Sequence, residues 1–273
     1  TRSGETRMAQ GRRLRERVAG QTAMSDVVHS PSVNRERGTL ARIAGVSPLD
    51  STSRRAYRIA LGELVVGDIL DGLGQRWDVL HDLSLGGDST LEQLVMGPSG
   101  IFAVRTANHG DAEVVVDGDI VLAGGEPHDD IEVCVRQAVA AAQALTTAAG
   151  ETVLVQPLLV VVAPRRLTVR REPSGVLISE SSGLERMLTR APSQLGGEQV
   201  ARISDLADLE TTWPEASEVT LDTQRLNRQF TLVRAEVRSA LAIRTAWVVG
   251  ALLVACSGLW MMIARFVTQM VAV

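Results

Sequence analysis

The chain contains no lysine, and all 28 of its basic residues are arginine. A catalytic lysine is therefore excluded wherever the chemistry resides. Cysteine is almost as scarce, with Cys134 in a predicted helix and Cys256 in an apolar run. Two cysteines so placed cannot define a disulfide framework, neither has the neighbours of a zinc site, and a reducing compartment suits them. The N-terminal region lacks the apolar stretch of a signal peptide, and Arg12-Arg13 lacks the apolar run that follows a twin-arginine address. Thr1 implies a removed methionine or a fragment, with Met8 and Met24 as alternative starts. Gly86-Gly87 lacks the strand-to-helix context of a phosphate loop, and the pairs His81-Asp82 and His109-Asp111 lack a nucleophile, so no triad is assigned.

What is present bounds the protein further. With 273 residues, 45% of them apolar, the chain can bury a full core and leave room for tails around one domain of ordinary size. The net charge of -4 hides an asymmetry. Residues 1–55 carry 11 arginines against 5 acids, whereas residues 56–245 carry 16 against 27. Such an acidic body is a poor match for a phosphate backbone, so nucleic acid is disfavoured as a partner.

Residues 1–50, with scattered Arg, Gly, Ser and Pro, read as a disordered Arg-rich arm, with attraction to anionic headgroups as a secondary role. Ser51-Thr52-Ser53 offers N-caps for a helix over 55–73, where Tyr57, Ala60, Leu61, Leu64, Val65 and Ile69 keep helical spacing. Residues 77–83 read as a strand, followed by a turn at Gly86-Gly87-Asp88. A hairpin is expected over 112–116 and 120–123, then an alanine-rich helix over 130–147 closed by Gly150. Residues 153–163 form an apolar run typical of a strand buried on both faces, although Pro157 argues for an interruption. Short strands at 167–171 and 176–179 and helices at 182–190 and 198–209 complete the expected domain, 51–212. The order implies an α/β fold, a mixed sheet with helices on its faces.

At the centre stand residues 91–107, two apolar runs about Gly97-Pro98-Ser99-Gly100. Branched side chains on either side of a Gly/Pro turn predict adjacent antiparallel strands. With Gly97 facing Gly100, Glu92 lies opposite Arg105, and Ala107 shares their face because side chains alternate along a strand.

Residues 213–245 read as a linker or stalk helix. Residues 246–264 then run uncharged with Trp247 and Trp260 near the ends, long enough to cross a bilayer core of roughly 30 Å, and 265–273 form a short tail. Arginines crowd the N-terminal side and only Arg265 follows, which predicts a single-pass protein of the cell membrane with its N-terminal domain cytoplasmic.

From about 61 to 209 the chain resembles the nuclease-related domain (NERD) family, whose fold is similar to the restriction-endonuclease-like PD-(D/E)xK nucleases. The resemblance rests on Gly62-Glu63, on Trp77-Asp78-Val79-Leu80-His81-Asp82, on Leu94 through Val104 across the hairpin, and on Gln137. It implies a site that binds Mg²⁺ through hard carboxylate oxygens, with a lysine aiding the attacking water. The family places an acid where Glu92 stands, and an acid and a lysine where Arg105 and Ala107 stand. Here the second position has inverted its charge and the third has lost its functional group.

A guanidinium opposite Glu92 would repel Mg²⁺ and pair with the carboxylate itself. The expectation is therefore a membrane-anchored, catalytically inactive NERD-like protein that binds or scaffolds, with an unknown protein partner. Glu63, Glu92, Arg105 and Gln137 are its vestigial-site candidates, and no cofactor is expected. The alternative is a metal-dependent nuclease with Mg²⁺ on Glu63 and Glu92 and with Arg105 as a phosphate clamp, or a nucleic-acid binder that does not cut. His128-Asp129-Asp130-Glu132-Cys134 carries metal-friendly chemistry, but its aspartates read as helix-start residues, which favour negative charge.

Overall fold

The computed structural model describes residues 14–33, 37–87, 89–214 and 223–271. The chain divides into two compact units, one comprising Thr1–Ser25 with Arg55–Thr223, the other Asp26–Arg54 with Gln224–Val273. Within them the helices are α1 (Gln21–Val28), α2 (Thr39–Ile43), α3 (Ser51–Asp71), α4 (Asp130–Ala149), α5 (Leu184–Arg190), α6 (Gly197–Ala207) and α7 (Thr223–Val271). The strands are β1 (Asp78–Ser84), β2 (Thr90–Gly97), β3 (Gly100–Ala107), β4 (Glu113–Asp117), β5 (Ile120–Ala123), β6 (Glu126–His128), β7 (Gln156–Val161), β8 (Arg166–Arg171) and β9 (Leu177–Glu180).

In the first unit β1, β2 and β3 form an antiparallel meander, and β7 and then β9 add in parallel to give a five-stranded mixed sheet ordered β1-β2-β3-β7-β9. The single expected sheet is in fact two. The hairpin β4–β5 leaves the first sheet and, with β6 and β8, builds a second of order β6-β5-β4-β8. Alternation along β2 and β3 feeds two cores. Leu94, Met96, Ile101 and Ala103 meet Ala138, Ala141 and Leu145 of α4 and Val200 and Ile203 of α6. Val95, Phe102 and Val104 meet Val66 and Leu70 of α3 and Leu184 and Leu188 of α5. A third cluster joins Val114, Val116 and Val121 of the second sheet to Leu159 and Val161 of β7 and to Ile131 and Cys134 of α4.

The central turn pairs Gly97 with Gly100, and the register runs Met96↔Ile101 through Gln93↔Val104 without a bulge. Gly100 takes φ +137°, which a side chain would strain. Gly97 is required for a different reason, since an added Cβ would overlap the indole ring of Trp77. The turn is also docked: Pro98 O accepts from Gln194 N (2.7 Å) and Leu195 N (3.0 Å), and Ser99 Oγ donates to Leu188 O (3.0 Å). Pro157 does not interrupt β7. It pairs with Ala103 of β3, whereas β9 joins β7 only from Leu158, so the missing donor falls where the strand has one neighbour.

Several boundaries differ from expectation. The helix predicted for 55–73 starts at Ser51, and its cap is Asp50, whose Oδ1 accepts from Ser53 N at 2.8 Å. The 1–50 arm is not featureless where it is described, for Leu14, Met24, Val27 and Val28 are buried and α1 and α2 form within it. Its residues 1–13 and 34–36 lie outside the described residues, as do Asp88 and Asp222. Trp213, assigned to the linker, is 5% exposed, packs in the first core and donates from Nε1 to Ala207 O at 2.8 Å.

In the second unit the expected stalk, span and start of the tail are one 49-residue helix, α7. Leu226, Phe230, Val233 and Ala240 on it are buried, Arg37 pairs with Glu236 at 2.9 Å, and Trp247 Nε1 donates to Ile43 O at 2.8 Å. Its C-terminal part is the single candidate membrane span among the described residues. Nineteen residues at 1.5 Å each cover about 28 Å, close to the bilayer core.

Because Trp77 fills the space above Gly97, Gly97→Ala should destabilise the protein by about 1–3 kcal/mol, the usual cost of overpacking. Thermal denaturation compared with Gly74→Ala, whose added Cβ meets nothing but whose φ of +88° is strained, checks this, because pure backbone strain would make Gly74 the more sensitive position.

Candidate functional site

The hairpin register delivers Glu92 opposite Arg105 on the face toward α4. Arg105 Nη1 donates to Glu92 Oε1 at 2.5 Å, and the backbone N–H of Thr106 donates to Glu92 Oε2 at 2.6 Å. Both carboxylate oxygens are thereby engaged. The Glu92 side chain is 5% exposed and that of Arg105 23%. Burial pushes the Glu92 carboxyl above the ordinary carboxylate range, while the Arg105 charge and the Thr106 N–H pull against it. The Glu92 charge in turn raises the Arg105 guanidinium above its usual value. These two short contacts oppose the burial that raises the Glu92 carboxyl.

Ala107 is buried in the third core and offers only a methyl group. Cys134, one helical turn into α4, is fully buried, and burial followed by the nearby Glu92 charge pushes its thiol up to about 12. A buried thiol so shifted is a poor nucleophile at neutral pH.

The other candidates do not join Glu92 in one ligand set. Glu63 lies on α3, which packs on the opposite sheet face. It is buried, its carboxylate sits beside Gly20, its backbone carbonyl accepts from Gln93 Nε2 at 3.5 Å, and its charge reaches Arg105 more weakly than that of Glu92. Gln137 donates from Nε2 to Thr90 O at 2.6 Å, so it fastens α4 to the start of β2. Around these groups Gln21 Oε1, Gln93 Oε1, Gln137 Oε1, Arg105 Nε and Thr106 Oγ1 are buried without a hydrogen-bond partner. Each such group costs roughly 1–3 kcal/mol.

Two features escaped the sequence reading. Asp82 occupies the β1 position across from Glu92, but it takes φ +56° and drops out of the pairing between His81↔Gln93 and Leu83↔Leu91. Its Oδ2 accepts from Thr22 Oγ1 at 2.9 Å and its backbone carbonyl from Arg17 Nη1 at 2.5 Å, so the N-terminal segment closes over it. Burial raises the Asp82 carboxyl above its ordinary value, against the Thr22 hydrogen bond and the Arg17 charge. The second feature is a cluster of His109, His128 and Asp130, the only group of three or more potential ligands among the described residues. Burial opposes the Asp130 charge, yet the His109 hydrogen bond and the charges of His109, Arg105 and His128 hold its carboxyl below the usual range. Only the 128–134 half of this cluster was visible as a local motif. His109 arrives from the loop after β3, nineteen positions earlier.

Comparison with family models, with curated proteins and with solved structures gives no match.

Breaking a buried pair on one side leaves a charge uncompensated, so Arg105→Met should cost about 3–5 kcal/mol, whereas Glu92→Leu with Arg105→Met together should cost far less. Urea denaturation of the two singles and the double checks this, and additive losses would show that the pair is not coupled.

Asp82 gives a pH signature. A carboxyl whose folded value is raised contributes stability below its unfolded value, about 3.9, and loses it as pH rises through the folded value. Asp82→Asn should accordingly melt higher than wild type at pH 7, with the gap closing toward pH 4, as followed by circular dichroism.

Proposed function

We propose that this chain is a membrane-anchored, non-catalytic NERD-like protein, a restriction-endonuclease-like domain that acts as a binding or scaffolding module on the cytoplasmic face. The observation that carries the reading is the engagement of both Glu92 oxygens, one by Arg105 and one by the Thr106 N–H. A cation approaching that carboxylate meets a guanidinium where it would need open lone pairs. The order of helix, three-stranded meander, helix and parallel strand supports the family reading, as does the placement of Glu92 and Arg105 on the second and third strands.

Membrane attachment rests on the apolar C-terminal part of α7, where Trp247, Leu252, Leu253, Trp260 and Met262 are exposed. Leu40, Ile43 and Val46 are also exposed, and Ile43 lies beside Trp247, which places further apolar surface at the start of the span. The excess of arginine before this span favours a cytoplasmic body.

The nuclease alternative, with Glu63, Glu92 and Arg105 around Mg²⁺, needs Glu63 and Glu92 as joint ligands, and they approach the sheet from opposite faces. The acidic body weighs against a nucleic-acid binder. Detergent-solubilised full-length protein should leave single- and double-stranded DNA and RNA intact in Mg²⁺ and in Mn²⁺. Cleavage that disappears in Glu92→Gln would sink the proposal.

A further inference from the structure

Independently of that reading, we infer that His109, His128 and Asp130 form a binding site for a divalent transition-metal ion of the zinc class. His109 comes from the loop that leaves β3, His128 is the last residue of β6, and Asp130 is the first residue of α4. The adjoining ends of β6 and α4 thus meet the remote β3 loop at one point, where one ligand atom from each residue lies within 4.8 Å of the others. His109 Nε2 is already 2.8 Å from Asp130 Oδ2. The two imidazole rings stand 4.1 Å apart between centroids and are tilted by 49° rather than stacked, so their nitrogens can point to a common centre.

The donor set selects the ion. Two imidazoles and one carboxylate suit zinc, copper, nickel or iron, whereas Mg²⁺ and Ca²⁺ prefer oxygens alone. Bonds of about 2.0–2.1 Å in a tetrahedron put ligand atoms roughly 3.3 Å apart, so the widest separation closes by at most about 1.5 Å. The half-exposed His128 can make that adjustment, while Asp130, 8% exposed, and His109, 14% exposed, supply the fixed part. Coordination through Nε2 of His109 requires that any single ring proton sit on Nδ1.

Electrostatics permits the ion. Two guanidiniums act on the site: Arg105, which is paired with Glu92, and Arg55, which opposes the charged form of His128. The N-terminus of α4 opposes a cation, but Asp130 and Glu132 in its first turn answer that field. Cys134 is buried and is not among the ligand atoms that converge there. Three protein ligands on a partly exposed site leave the remaining position to water, the arrangement of open rather than closed zinc sites.

The full-length chain, purified in detergent through a tag without histidine and stripped with chelator, is titrated with Zn²⁺ and with Co²⁺. We expect about one equivalent bound, visible d–d absorption with Co²⁺, and a rise in melting temperature with Zn²⁺. His128→Gln should weaken binding at least about tenfold, and His29→Gln should leave it unchanged. X-ray absorption at the zinc edge on the wild type should show two imidazoles per ion, which keeps the test decisive if a variant folds poorly. Absent binding, binding unaffected by His128→Gln, or a zinc shell without imidazole would each overturn the inference.

Discussion

The pairing of Gly97 with Gly100 is the constraint on which the rest depends. It sets the β2–β3 register, and through that register decides which side chains meet α3, which meet α4, and that Glu92 faces Arg105. A slip of one residue would turn every inward side chain outward. Trp77 over Gly97 and the backbone bonds to Pro98 hold the turn from outside, so the register is fixed by packing as well as by turn chemistry.

The ion pair that follows from this register is costly to bury, and its net contribution to stability is small in comparison with hydrophobic replacement. What it does is determine the chemistry of the face toward α4. A carboxylate alone on a sheet strand is a cation ligand, but one held by a guanidinium and a main-chain N–H is a closed structural unit. Ala107 offers only a methyl group there, and the sequence holds no lysine. Buried polar atoms without partners occur on both faces of the sheet, and the N-terminal segment reaches Asp82.

Legibility in the sequence followed the range of the interactions. The hairpin, its register and the Glu92–Arg105 contact were readable because a Gly-Pro-Ser-Gly turn and alternating side chains are local signals. The helix closed by Gly150 was readable for the same reason, and the residue takes the left-handed cap conformation with φ +69°. The second sheet was not, since β4 pairs with β8, about fifty residues later, and nothing within either strand announces the other. Leu14, Met24 and Val27 were too sparse to signal a core, and their burial depends on distant partners. Asp82 in a left-handed conformation and the convergence of His109 with Asp130 are consequences of tertiary packing that no local pattern encodes.

The most direct measurement of the central claim is anomalous diffraction from crystals of the full-length protein soaked in Mn²⁺, read at Glu92. We predict no manganese peak within coordination distance of either Glu92 oxygen, with Arg105 Nη1 still bonded to Oε1. A manganese ion on Glu92, with Arg105 swung aside, would contradict it.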